Sequence, residues 1–162
     1  SPAEAAAETA ATEGEPAAEP GKEQVAAVAT GPTQAAPASA APAQGDGIGP
    51  RLAHADLDAG AKSARICAAC HSFEEGGAAK IGPPLWGVVG RDIASLGDFS
   101  YSNALAGKDG EWSYQTLDEY LSAPRKWVPG TKMVFAGIKK PEDRANVILY
   151  LRSLSSDPAP LP

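Results

Sequence analysis

The chain has 162 residues and a formal charge of −6, room for one ordinary domain. The charge sits at one end: within residues 1–50, Glu4, Glu8, Glu13, Glu15, Glu19, Glu23 and Asp46 are opposed by Lys22 alone, while thirteen acidic and thirteen basic side chains balance over residues 51–162. No apolar run is long enough to cross a bilayer, and no basic block suggests nucleic acid.

Ala and Pro make up about half of residues 1–50, and almost nothing there is large and apolar. Such a segment buries too little surface to offset its chain entropy, so residues 1–50 are expected to be a disordered linker. A flexible coil of that length reaches about 40 Å r.m.s., and an extended polyproline form roughly 150 Å. The expected reading is a tether, with an N-terminal extension of no function as its plainer alternative. The chain opens Ser1-Pro2-Ala3-Glu4 without a methionine, which suggests that a cleaved leader or a membrane anchor precedes it.

The globular part is expected over 51–162, with a core at 55–155. An alanine-rich helical pattern runs from Ala55 to His71, with Asp56 and Asp58 near its positive end. Glycines at 76, 77, 82, 87, 90 and 97, with Pro83-Pro84, then predict a long wrapping loop. A turn of helix is expected at Ser102–Ala106. Another is expected at Thr116–Ser122, with Asp118 and Glu119 in its first turn and Leu117, Tyr120 and Leu121 on one face before Pro124 stops it. The clearest helix starts at Pro141, continues through Glu142 and Asp143, and carries an apolar stripe of Val147, Ile148, Leu151 and Leu154 to about Ser155. No stretch alternates convincingly with period two, so the domain is expected to be all-α.

Cys67-Ala68-Ala69-Cys70-His71 carries the chemistry. C-x-x-C-H is the signature of covalent c-type haem attachment: two thiols form thioethers with the haem vinyl groups and the adjacent imidazole binds the iron. A C-x-x-C disulfide or half of a zinc site uses the same letters. Zinc, however, would need two further ligands where His54 is the only other histidine, and the flanking Gly/Pro-rich text offers no βαβ setting for a thioredoxin-like pair. One haem c is therefore expected, held by Cys67 and Cys70 with His71 as axial ligand, and it must count as part of so small a core. A distal ligand is also needed, and Met133 is the sole methionine. It sits in a turn-rich loop, Pro129 to Gly137, able to carry a side chain back over a haem. Core filling is the commoner role for methionine, and His54 is the second choice as ligand. His/Met ligation raises the reduction potential and leaves no open position for oxygen, so the iron is expected to exchange electrons; nothing else suggests an enzyme.

Residues 60–154 resemble class I cytochrome c of the mitochondrial type. The motifs are the pentapeptide, Gly82-Pro-Pro-Leu-Trp-Gly-Val-Val-Gly-Arg91, Phe99-Ser-Tyr101-Ser, Tyr120-Leu-Ser-Ala-Pro124 and Val128-Pro-Gly-Thr-Lys-Met-Val-Phe-Ala-Gly-Ile-Lys-Lys140. The Ala/Pro-rich tail and the ends of the chain further resemble the membrane-anchored α-proteobacterial cytochromes of the c-y type, without their anchor. The resemblance implies a class I cytochrome c fold in which the Pro83 carbonyl accepts a hydrogen bond from His71, and Arg91, Tyr101 and Trp112 serve a buried haem propionate. It also implies that Tyr120 and Thr131 lie near the ligand sulfur and inner propionate, and that Phe135 covers the distal face. Trp112 and Tyr120 as plain core aromatics, and Arg91 as a surface charge, are the alternatives. Leu105 stands where relatives usually carry an asparagine, and Ala64 where they carry an aromatic residue that meets the last helix.

The resemblance further implies a monomeric electron carrier between a cytochrome bc1 complex and a terminal cytochrome c oxidase or a photosynthetic reaction centre. Its place would be the periplasm, tethered to the inner membrane. Lys80, Arg125, Lys126, Lys132, Lys139 and Lys140 are the expected partner-docking cations, with mere solubilising charge as the alternative. Rival readings are a haem subunit of a dehydrogenase or nitrite-oxidising system and a haem-based gas sensor.

Overall fold

The computed structural model describes residues 47–162, so all but the last four residues of the tether expected at 1–50 lie outside the described residues. Six helices follow in chain order: α1 (Ile48–Ala53), α2 (Leu57–Ala64), α3 (Asn103–Ala106), α4 (Tyr114–Ser122), α5 (Pro124–Trp127) and α6 (Pro141–Ser153). Among the described residues there is no strand, only an isolated antiparallel bridge between Asp92 and Glu111.

Helix α1 reaches back into residues read as linker. Ile48 and Leu52 are 6% and 2% exposed, so the packed domain begins before Arg51. Pro50 is tolerated because it falls in the first turn, where backbone N–H groups lack helical partners anyway. The single helix expected over Ala55–His71 is instead α2 followed by a short 3-10 helix, Cys67–Ala69. Asp56 caps α2, accepting from the Ala59 N–H at 2.7 Å. At its other end the backbone tightens to three-residue bonds, Arg65 N–H to Lys62, Ala68 N–H to Arg65 and Cys70 N–H to Cys67, the usual way an α-helix tapers off.

Helix α4 starts two residues earlier than expected because Ser113 caps it, accepting from the Thr116 N–H at 3.1 Å. Asp118 and Glu119 therefore lie in its middle, not its first turn. Pro124 ends α4 but also opens α5, since proline is suited to a first helical position.

The core is built on α6, whose Val147 and Ile148 are almost completely buried. Helix α2 packs on it at close range through Gly60 and the fully buried Ala64. A Cβ at Gly60 would collide with the Asn146 carbonyl oxygen and stand 3.1 Å from the Tyr150 Cβ. Gly60→Ala is thus expected to cost about 2 kcal/mol by overpacking, outweighing the helix propensity gained, and to lower the thermal midpoint. Tyr150 of α6 is met by a ring from outside both helices: Phe73 stands edge-on to it, centroids 5.6 Å apart.

A charged triad ties the same helices together. Arg51 donates to both Asp118 oxygens at 2.9 Å, and Arg144 donates through Nε to Oδ1 at 2.8 Å. Arg144 also donates to the Ile138 and Lys139 carbonyls, and Arg51 to that of Pro141, so α1, α4, α6 and the chain entering α6 share one network. The C-terminal strap is fixed by a single carbonyl, that of Ala159, which accepts from Tyr114 Oη at 2.9 Å and Arg152 Nε at 2.6 Å.

Candidate functional site

Between the cysteine pentapeptide on one side and the Met133 loop on the other lies an apolar cavity of about 410 Å³, within the range of roughly 300–1,000 Å³ typical of cofactor and ligand sites. Its walls bring together Cys67, Cys70, His71, Pro83, Arg91, Tyr101, Trp112, Tyr120, Thr131, Met133 and Phe135. Val88, Leu105, Leu117, Leu121, Val147 and Leu151 add apolar floor and walls from the loop, α3, α4 and α6.

The proximal wall is held by backbone. His71 N–H donates to the Cys67 carbonyl at 2.9 Å, and Gly82 N–H to that of Cys70 at 2.8 Å, which lays the Gly82–Pro84 segment across the attachment turn. His71 Nδ1 then lies 2.7 Å from the Pro83 carbonyl oxygen. A carbonyl only accepts, so Nδ1 carries the proton and the neutral ring keeps a lone pair on Nε2. Burial, the largest influence, lowers the His71 pKa and favours that neutral form. Gly82 makes the approach possible, because a Cβ there would stand 2.7 Å from Nδ1 and closer still to Cε1. In the sequence Gly82 reads as a loop glycine within a motif; its place directly before Pro83-Pro84 is the one local signal of this close approach.

Cys67 and Cys70 are not joined to each other. Burial pushes the Cys67 thiol pKa up, so it is not an activated thiolate.

The distal wall is the Val128–Ile138 loop. It closes on α4 through Ile138 N–H to the Leu121 carbonyl at 2.8 Å, and Gly137, at φ +90°, sits where a side chain would strike the Ser122 carbonyl oxygen. Tyr120 Oη donates to Met133 Sδ at 3.2 Å and is 3.4 Å from Thr131 Oγ1, which in turn accepts from the Met133 N–H at 3.2 Å. The thioether is thereby presented as an oriented acceptor, not as loose filling. Burial raises the Tyr120 pKa and keeps the phenol a donor.

Arg91 donates to the Pro84 and Trp86 carbonyls at 3.0 and 3.2 Å, and among the described residues it forms no ion pair. Burial lowers its pKa. Trp112, 7% exposed, and Tyr101, whose pKa burial raises, share the cavity wall with it. A planar apolar ligand with carboxylate arms, attached through two thiols and bound by one imidazole and one thioether, suits this donor set. Haem c fits it.

The six basic docking residues are all exposed but not all together. Lys132 is on the cavity wall and donates to the Ser100 carbonyl at 3.0 Å. Lys80 donates to the Ala68 carbonyl beside the attachment turn at 2.9 Å. Lys139 is clipped to the Ser122 and Ala136 carbonyls. Arg125 and Lys126 lie on α5, and Lys140 precedes the first residue of α6. Sequence reading passed over the apolar rim: Ile66, Ile81 and Val134 line the cavity yet are 63%, 79% and 84% exposed.

The Cytochrome c family matches residues 57–155. A "Cytochrome c homolog" of Bradyrhizobium diazoefficiens is 44% identical over 124 residues, covering 76% of this chain and 67% of that protein. One of Rickettsia bellii is 47% identical over 103 residues, and the chain spans only 60% of its length. Cytochrome c of Ginkgo biloba is 46% identical over 90 residues, 56% of this chain and 80% of that protein. With more than half its length matched and this cavity at its centre, the chain belongs to the cytochrome c family.

Proposed function

We propose that this protein carries single electrons from a cytochrome bc1 complex to a terminal cytochrome c oxidase or a reaction centre, with His71 and Met133 as the axial ligands and Cys67 and Cys70 as the haem attachment points. Membership of the cytochrome c family already makes it an electron-transfer haem protein with covalently bound haem c. The carrying observation is the oriented pair facing one cavity: His71 fixed by the Pro83 carbonyl and Met133 fixed by Tyr120. Bound haem supplies one reversible electron, stored as a change in iron valence. The residues do the rest. Pro83 holds the His71 tautomer, Tyr120 and Thr131 hold the sulfur, Arg91 offsets carboxylate charge, and the apolar walls exclude water so that the charge change meets little reorganisation.

The test is the protein matured with haem. Covalent attachment that survives acid extraction, and a reversible one-electron redox titration, are expected. Haem that extracts freely, or a protein without a reversible couple, would sink the reading.

Partner docking is proposed at the cavity rim, where exposed Ile66, Ile81 and Val134 are accompanied by Lys80 and Lys132, with Lys126, Lys139 and Lys140 further out. Reversing both Lys126 and Lys139 to Glu should slow electron delivery to an isolated oxidase about tenfold at low salt and leave the potential nearly unchanged. Added salt should slow the unmodified protein by screening. Rates indifferent to both would put docking elsewhere. A periplasmic location and a membrane tether through residues 1–50 complete the proposal, supported by the composition of that segment.

A further inference from the structure

Three aromatic rings run from the cavity wall to the surface. Trp112 and Tyr120 line the cavity, their ring centroids 4.9 Å apart. Trp127 lies 6.0 Å from Trp112 and 5.7 Å from Tyr120, and is half-buried on the wall of a separate open cleft shared with Glu119 and Lys126. The outer ring is equipped for proton-coupled oxidation. Its Nε1 donates to Glu119 Oε2 at 3.2 Å, so a carboxylate waits on the proton an oxidised indole would shed. The Lys108 ammonium lies 4.4 Å from the ring centroid, where it opposes an indole radical cation and favours loss of that proton. Gln115 donates to the other Glu119 oxygen at 2.8 Å and holds the carboxylate in place. The docking proposed at the cavity rim calls on neither Trp127 nor Glu119, Lys108 and Gln115.

We propose that Trp127 is the surface port of an electron relay through which the reduced protein quenches strongly oxidising one-electron radicals. This rests on the haem reading of the cavity. The radical takes one electron from the Trp127 indole and becomes its anion; the Nε1 proton passes to Glu119, leaving a neutral indolyl radical. Trp112, which stands between Trp127 and the cavity, would pass on one electron supplied by a reduced haem held there, and Glu119 would return the proton. Overall one radical is reduced and one iron goes from ferrous to ferric, with the side chains restored. Trp127 is a positioned relay, and ordinary reductase action then resets the iron.

The experiment is pulse radiolysis of the ferrous holoprotein with azide radicals, following indolyl absorption and the haem bands together. A transient indolyl signal is expected to decay in step with a first-order oxidation of the iron, and to persist in ferric protein, where no electron is available. Trp127→Phe should lose both the transient and the first-order phase, leaving only direct bimolecular oxidation. Trp112→Phe should form the transient but prolong it, and Glu119→Gln should show the radical cation in its place. Trp86→Phe should keep both phases, because Trp86 is not on the cavity wall. Retention of both in Trp127→Phe, their loss in Trp86→Phe instead, or equal decay in ferrous and ferric protein would overturn the relay alone. A holoprotein that ascorbate and ferricyanide cannot cycle would overturn the haem reading, and the relay with it.

Discussion

Replacing Met133 with alanine is expected to abolish the weak long-wavelength sulfur-to-iron charge-transfer band of the ferric protein. It should also lower the reduction potential by on the order of 100 mV, a roughly fiftyfold weaker preference for ferrous iron at 59 mV per decade. The direction follows from ligand chemistry: a soft thioether favours the ferrous state, and its loss leaves a position that water can fill. The structure adds a second variant. Tyr120 Oη donates to the Met133 sulfur, and that bond withdraws density from the ligand. Tyr120→Phe should therefore keep the band and shift the potential far less than Met133→Ala. Carbon monoxide should bind ferrous Met133→Ala readily at neutral pH and the unmodified protein slowly. Ready binding by the unmodified protein would favour the sensor reading, and an unchanged band in Met133→Ala would exclude Met133 as ligand.

Much of this site is legible in the sequence because its chemistry is local. The attachment pentapeptide fixes three groups within five residues, and the sole methionine sits in a loop whose Pro and Gly residues forbid helix. What depends on contacts remote in sequence is not legible. Nothing in the text around Ala64 names Phe73 as the ring that meets Tyr150, since Phe73 lies outside both helices. The break between α2 and the 3-10 helix is equally hidden: alanine-rich text favours continued helix, whereas the chain tapers to three-residue bonds and then receives the Gly82 N–H on the Cys70 carbonyl, a contact from residues remote in sequence. Asp118 was misplaced for a related reason. By pattern it belongs to a first turn and serves the helix dipole, whereas its partners lie 67 residues before it and 26 after it.

The largest stability effect is expected at that carboxylate. Asp118 is 6% exposed and receives hydrogen bonds from two guanidinium groups that also hold the Ile138, Lys139 and Pro141 carbonyls. Asp118→Asn keeps the shape but leaves two enclosed cations facing a neutral amide, a loss of about 3–5 kcal/mol. Burial alone would raise the Asp118 pKa, but the hydrogen bonds and charges of Arg51 and Arg144 together outweigh it and hold the carboxyl below its ordinary value. A depressed folded-state pKa means the stabilisation is fully present above the unfolded value and disappears as pH falls through the folded one. The difference between the two proteins in urea unfolding should thus be constant across neutral pH and shrink only below about pH 4. A gap that closed near pH 6 would assign it to another group. Replacing all three residues by apolar ones of similar volume is expected to restore most of the loss, because dehydrating three charges consumes nearly all that their attraction returns. The triad then reads as a specificity device, fixing where α1 packs against α4 and α6. If the apolar triple variant remained as unstable as Asp118→Asn, packing around the site, not charge, would be setting the cost.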